Sequence, residues 1–195
     1  MNQHLEREIL WTGIGGQGVQ LAAKILALAA MSEGRKVMSL GTYGGTMRGG
    51  NTDATIVIAE DEITSPPMVS RAWSAVIAHP RYFEPIRPKL GAGGVIVVDG
   101  DLLDEPLPQT PAELISIPAT TLAREADAPK AAALILLGAF AQTTGIVSAS
   151  SLDDALAESL PSYRQQFLEP NLRALATGFG AVPALTQPAW TSEAA

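Results

Sequence analysis

Without a single cysteine, the chain can form neither disulfides nor thiolate-held metal clusters. Histidine is almost as scarce. His4 and His79 stand far apart in sequence with no carboxylates gathered around either, so no metal centre is expected. Positive charge is short too: 13 Lys plus Arg against 20 Asp plus Glu give a net charge of -7. That balance argues against a general nucleic-acid or anionic-membrane surface and makes any phosphate site a local one. The longest apolar run, Ala131 to Ala141, falls well short of the ~20 residues that span a bilayer, and Met1 to Glu8 is too charged for a signal peptide. These absences point to a cytoplasmic protein. Aromatics make up only 5% of a chain that is 47% hydrophobic, so the apolar mass is Ala, Leu, Val and Ile, small enough to pack closely in a core or at a partner interface.

What is present begins with Arg7 to Asn51. Glu8 to Thr12 carry β-formers, Val19 to Met31 is apolar at nearly every position over a length too great for a strand, and Gly13-Ile14-Gly15-Gly16-Gln17-Gly18 joins the two. The pattern is strand, glycine turn, helix. Glycines there permit positive φ and close approach, and the amides opening the helix at Gly16 to Gly18 offer donors, with the positive end of the helix dipole, to an anion. The spacing matches the G-x-G-x-x-G of dinucleotide sites, but that fingerprint needs an acid about 20 residues on. The second strand, Lys36 to Gly41, ends without one. The turn therefore reads as phosphate-capable or as a device for close packing, and a stand-alone dinucleotide-binding oxidoreductase is the alternative.

Downstream, Thr42-Tyr43-Gly44-Gly45-Thr46-Met47-Arg48-Gly49-Gly50-Asn51 is a glycine-rich loop. Thr52 to Ala59 reads as a third strand, hairpin-paired. Further strands are expected at Trp73 to Ala78, Val95 to Asp99 and Leu114 to Ile117, with an interrupted helical segment after His79-Pro80. Helices follow from Thr120: a fully buried one at Ala131 to Ala141, one capped by Ser150 or Ser151, and an amphipathic one from Pro161 restarted at Pro170. The alternation gives an α/β fold with a mainly parallel open sheet, helices on its faces, a Rossmann-like first βα unit and a helical C-terminal part. Residues 1–178 are expected to form one domain, and 179–195 a tail that stays flexible unless docked on a partner, with Trp190 as its anchor.

These motifs in this order resemble the gamma subunit, or gamma domain, of 2-oxoacid:acceptor oxidoreductases acting on pyruvate, 2-oxoglutarate, branched-chain and aryl 2-oxoacids such as phenylglyoxylate. The resemblance is carried by Gly15-Gly16-Gln17-Gly18-Val19, Tyr43-Gly44 followed by Arg48-Gly49-Gly50, the strand Asn51 to Ala59, Ile63-Thr64-Ser65-Pro66, Ile117-Pro118-Ala119-Thr120 and Leu137-Gly138-Ala139, and it covers roughly Glu8 to Gly178. Members often carry an acid between Tyr-Gly and Arg-Gly-Gly, where this chain has Gly45-Thr46-Met47, and an Asn before the buried helix, where it has Ala131-Ala132. The resemblance implies one piece of a hetero-oligomer: thiamine diphosphate between alpha and beta subunits, iron-sulfur clusters in cysteine-bearing delta-type chains, coenzyme A as cosubstrate, and ferredoxin or NAD as acceptor. It assigns this chain no cofactor of its own, no metal and no catalytic residue. The residues expected to contribute to the coenzyme A region are the turn residues Gly13, Gly15, Gly16, Gln17 and Gly18, and from the second loop Thr42, Tyr43, Arg48, Gly49, Gly50 and Asn51.

Each polar candidate also has an ordinary structural role open to it. Arg48 suits either a phosphate or carboxylate clamp or an interchain ion pair. Tyr43 suits a hydrogen bond or subunit-boundary packing. Lys24 reads as a stem reaching for water, Asp99 as a turn cap and His79 as a simple hydrogen-bonding residue.

Overall fold

The structure, a computed structural model, describes residues 5–44, 49–66 and 68–190, with only the backbone of Tyr43. Its order is β1 (Glu6–Ile14), α1 (Val19–Ser32), β2 (Lys36–Tyr43), β3 (Asn51–Ala59), β4 (Ser74–Ile77), β5 (Val95–Asp99), β6 (Glu113–Ile117), α2 (Ala119–Glu125), α3 (Ala132–Thr144), α4 (Ala149–Ser159) and α5 (Leu168–Gly180). The strands form one six-stranded sheet in the order β2-β3-β1-β4-β5-β6. From β1 through β4 and β5 to β6 all pairings are parallel, and β3 alone runs against its neighbours β1 and β2. The expected mainly parallel open α/β sheet is therefore present, with a refinement in its first unit. In β1-α1-β2 the second strand does not lie beside the first, because β3 folds back as a hairpin from β2 and takes that place.

Alternation along the strands explains the two faces. Ile9 and Trp11 of β1, Ala54, Ile56 and Ile58 of β3, and Val95 and Val97 of β5 point to one side and pack with all five α-helices. Leu10, Val57, Ile77, Ile96 and Val98 point to the other, where no α-helix lies. That side is covered by irregular segments carrying Val69, Phe83, Ile86, Leu90 and Ala112, with short 3-10 turns at Pro80–Tyr82 and Arg87–Lys89. The prolines expected to interrupt a helix after His79 hold the backbone to those short turns. α3 is buried almost all round, as its unbroken apolar sequence requires, and Phe140 meets Trp73 edge-on at 6.2 Å.

Two helix starts differ from expectation. Ser148, ahead of Ser150 and Ser151, caps α4, its Oγ accepting from the Ser151 amide at 3.2 Å. Pro161 introduces not an α-helix but an exposed 3-10 turn over Ser162–Phe167, after which α5 starts at Leu168. Residues 181–190, after α5, pack back against the end of α3. The amides of Leu185, Gln187 and Ala189 donate to the carbonyls of Gln142, Thr143 and Thr144 at the end of α3, Trp190 Nε1 donates to the Ile146 carbonyl at 3.0 Å, and the Arg35 guanidinium stacks 3.7 Å from the Trp190 ring. Among the described residues no helix is long and apolar enough to cross a membrane, and no group of His, Cys, Asp or Glu is placed to hold a metal ion.

Candidate functional site

At the C-terminal end of β1 the backbone turns through Gly16 at φ +105 and Gly18 at φ +85 into α1, conformations that L side chains rarely adopt. The turn is partly self-contained: the Gln17 amide donates to the Ile14 carbonyl at 3.1 Å. Among the described residues the amides of Gly16 and Gly18 donate to nothing, and a Cβ on Gly16 would meet open space. Gly13 has a different reason to be glycine, since a Cβ there would press to 2.7 Å from Val19 Cγ2 and 2.9 Å from Gln17 Oε1. Close packing accounts for Gly13, and accessibility distinguishes Gly16.

Gln17 is a strut. Its Oε1 accepts from the Ile14 amide at 2.7 Å and its Nε2 donates to the Ala78 carbonyl at 3.2 Å, tying the ends of β1 and β4 together. Both ends of its amide are thereby committed within the protein.

The second glycine segment reaches the same rim. The Gly15 amide donates to the Gly50 carbonyl at 2.9 Å, and the Gly44 amide donates to the Asn51 carbonyl at 2.7 Å, closing the base of the loop. Asn51 then enters β3 opposite Ile14, and Thr42 lies opposite Asp53 on β2. So Gly13, Gly15, Gly16, Gln17, Gly18, Gly49, Gly50 and Asn51 converge on the end of β1, with Thr42 and the Tyr43 backbone one strand further out. Arg48 lies outside the described residues, as do Gly45, Thr46 and Met47. α3 also begins here: a Cβ on Gly18 would stand 3.7 Å from that of Ala133, so the N-termini of two helices approach the rim together.

Two residues of the rim were not singled out by sequence reasoning. The fully buried Thr12 donates through Oγ1 to Asp53 Oδ1 at 2.6 Å, and Asn51 Nδ2 donates to Asp53 Oδ2 at 2.7 Å. The signals were a lone polar residue ending an apolar strand and the period-two spacing of Asn51 and Asp53, which puts both on one face.

The remaining candidates have structural roles. Asp99 is buried, and it accepts from the Asp101 and Thr120 amides at 3.2 and 3.3 Å and from Thr120 Oγ1 at 2.6 Å, joining the end of β5 to the start of α2. Lys24 is exposed. His79 Nδ1 accepts from the Arg81 amide at 3.2 Å. Its imidazole is held below the usual range by burial and by the nearby Arg81 charge, against smaller opposing effects of Asp99 and Asp104. Beside it a shallow cleft of about 590 Å3 opens between residues 79–81 and 102–105.

The rim lies at the carboxyl ends of β1 and β2, the end of an open α/β sheet at which such folds bind ligands, and among the described residues no group of His, Cys, Asp or Glu is placed to hold a metal ion. Residues 8–181 match the family model described as pyruvate ferredoxin/flavodoxin oxidoreductase. The chain is 30% identical over 178 residues to the 2-oxoglutarate synthase subunit KorC of Methanocaldococcus jannaschii, covering 90% of this chain and 93% of that one. The crystal structure of the keto/oxoacid ferredoxin oxidoreductase gamma subunit from Geobacter sulfurreducens superimposes with a TM-score of 0.76 at 27% identity, over 89% of this chain and 96% of that one. The 2-oxoglutarate:ferredoxin oxidoreductase of Magnetococcus marinus, solved with 2-oxoglutarate, coenzyme A and succinyl-CoA bound, shares the fold at a TM-score of 0.79 and 18% identity, over 95% of this chain but 34% of that one. The chain belongs to the pyruvate ferredoxin/flavodoxin oxidoreductase family, as a gamma subunit of the 2-oxoacid oxidoreductases. Such subunits are parts of enzyme complexes, so other subunits accompany it.

Proposed function

We propose that the chain serves a thiamine-diphosphate-dependent 2-oxoacid:acceptor oxidoreductase in the cytoplasm, closing the active site formed by alpha and beta subunits and contributing the glycine rim to coenzyme A binding. In this reading the 2-oxoacid is oxidatively decarboxylated to an acyl-CoA and CO2, and delta-type iron-sulfur chains carry the electrons to ferredoxin or NAD. This chain's own part is to bind and orient the cosubstrate. With no cysteine among these 195 residues, any thiolate-held cluster lies outside them.

The observation that carries the reading is the bond from the Gly15 amide to the Gly50 carbonyl. It joins two segments distant in sequence into one rim, where unpaired amides and two helix N-termini favour the pyrophosphate of a nucleotide cosubstrate. The stand-alone dinucleotide reading has less support. Where a dinucleotide unit would set β2 beside β1, the neighbour is the antiparallel β3, β4 lying on the other side, and the β3 carboxylate, Asp53, is already engaged by Thr12 and Asn51.

Native purification with identification of co-purifying chains by mass, followed by coenzyme A titration of the complex, tests the proposal. Thiamine- and cluster-binding partners are expected, and Gly16→Asp, which sets a carboxylate at the rim and strains the turn held at φ +105, should weaken coenzyme A binding at least tenfold in a complex that still assembles. Purification of the chain alone, with tight NAD(H) or NADP(H) binding, would instead establish the dinucleotide reading.

A further inference from the structure

We propose that Asp53 is a positioning residue for the rim, fixing which end of the Asn51 amide is presented to the ligand. This rests on the coenzyme A reading given above. A carboxylate only accepts hydrogen bonds, so the group facing it must be a donor. Asp53 receives two, the Thr12 hydroxyl at 2.6 Å on one oxygen and Asn51 Nδ2 at 2.7 Å on the other. With Nδ2 turned to Asp53, the Asn51 Oδ1 lies 3.4 Å from Thr12 Oγ1, whose hydrogen is committed to the closer carboxylate. The amide therefore has one permitted orientation, and a second Nδ2 hydrogen remains for a ligand.

The location gives that orientation a consequence. Asn51 is opposite Ile14 in the ladder, one residue from the Gly50 carbonyl that holds Gly15. Thr12 is fully buried on β1, which has a strand on each side, so the network is anchored in the interior of the sheet and ends at the rim. An asparagine at position 53 would have nearly the same size but would offer one donor and one acceptor. Either end of the Asn51 amide could then pair with it, and the fixed orientation is lost while the packing is kept.

The test uses the complex assembled with its partner subunits, assayed with whichever of 2-oxoglutarate, pyruvate or phenylglyoxylate it turns over and with methyl viologen as electron acceptor. Asp53→Asn should raise the Kd and KM for coenzyme A about tenfold, leaving kcat within about twofold and the KM for the 2-oxoacid unchanged. Thr12→Val should act likewise, Thr12→Ser should restore the parent value, and the double variant Thr12→Val/Asp53→Asn should be no worse than either single one, because both remove the same network. Unchanged coenzyme A affinity in Asp53→Asn, in a complex where Gly16→Asp weakens binding, would overturn this inference alone. Equal losses for coenzyme A and the 2-oxoacid would overturn it too, by showing a general structural role. If Gly16→Asp and Asp53→Asn both left the affinity unchanged, the rim would not be the coenzyme A site and both readings would fall.

Discussion

Gly138 of α3 and Gly178 of α5 sit where the two helices cross, so close that a Cβ on Gly138 would collide with the Leu175 carbonyl and one on Gly178 with the Ile135 carbonyl. The helices meet backbone to backbone, and no side-chain rotation can relieve the contact. Gly138→Ala or Gly178→Ala should therefore cost about 1–3 kcal/mol as overpacking. Differential scanning calorimetry should show a drop of roughly 2–4 °C per kcal/mol in a chain of this size. A Tm unchanged within error in both variants would mean that the helices separate freely.

Gln17 occupies a motif position that suggests a ligand contact, yet both ends of its amide are bonded inside the protein. Gln17→Ala should leave the Ile14 amide and the Ala78 carbonyl without these partners and destabilise the fold by about 1–3 kcal/mol. Urea denaturation of the purified chain measures this. A loss of coenzyme A affinity with full stability would instead make Gln17 a ligand contact.

The segment after α5 is fastened at Trp190 by an indole hydrogen bond and by stacking under Arg35. Trp190→Ala should cost on the order of 2 kcal/mol. Limited proteolysis should then cut after Gly180 far faster than in the parent protein. Equal cutting rates would show that the indole contributes nothing to holding the segment.

Acid stability should depend on Glu6. Burial opposes its ionisation, but hydrogen bonds from Ser65 and Thr64 outweigh this and lower its pKa from 4.5 to about 2. The folded state thus binds fewer protons than the unfolded one between those values. The contribution of Glu6 is complete above pH 4.5 and is lost as the pH falls toward 2. Glu8 acts in the opposite sense, because burial raises its pKa and its protonated form favours the fold just above pH 4.5. Glu6→Gln should flatten the acid limb of a stability profile, and an unchanged limb would refute the assignment.

His79 gives a second pH window. Its pKa is lowered in the fold by burial and by Arg81, so the unfolded state takes up the proton first and stability falls as the pH drops through and below 6.5. Replacement by Gln should remove that part of the slope between pH 7.5 and 5.5 in denaturant titrations. A slope of the same size in the variant would assign it to other groups.

Local signals made much of this fold readable. The strand-turn-helix over Glu8 to Met31, the apolar strand Val95 to Asp99 and the buried helix around Ala131 to Ala141 each carry a pattern complete within a few residues. The place of β3 between β1 and β2 has no such signal, because pairing order in a sheet is decided by contacts far apart in sequence. The same limit hid Asp53, whose partner Thr12 is 41 positions away. At the caps, Ser148 shows how neighbouring serines compete. All three can accept from an amide, and only the local backbone path selects one.

Arg7, at the entry to β1, donates through Nε to the Ala189 carbonyl at 2.5 Å, so the first and last described stretches are laced together at the end of β1 opposite the glycine turn. Loosening either stretch therefore frees the other, at the end of the sheet away from the rim.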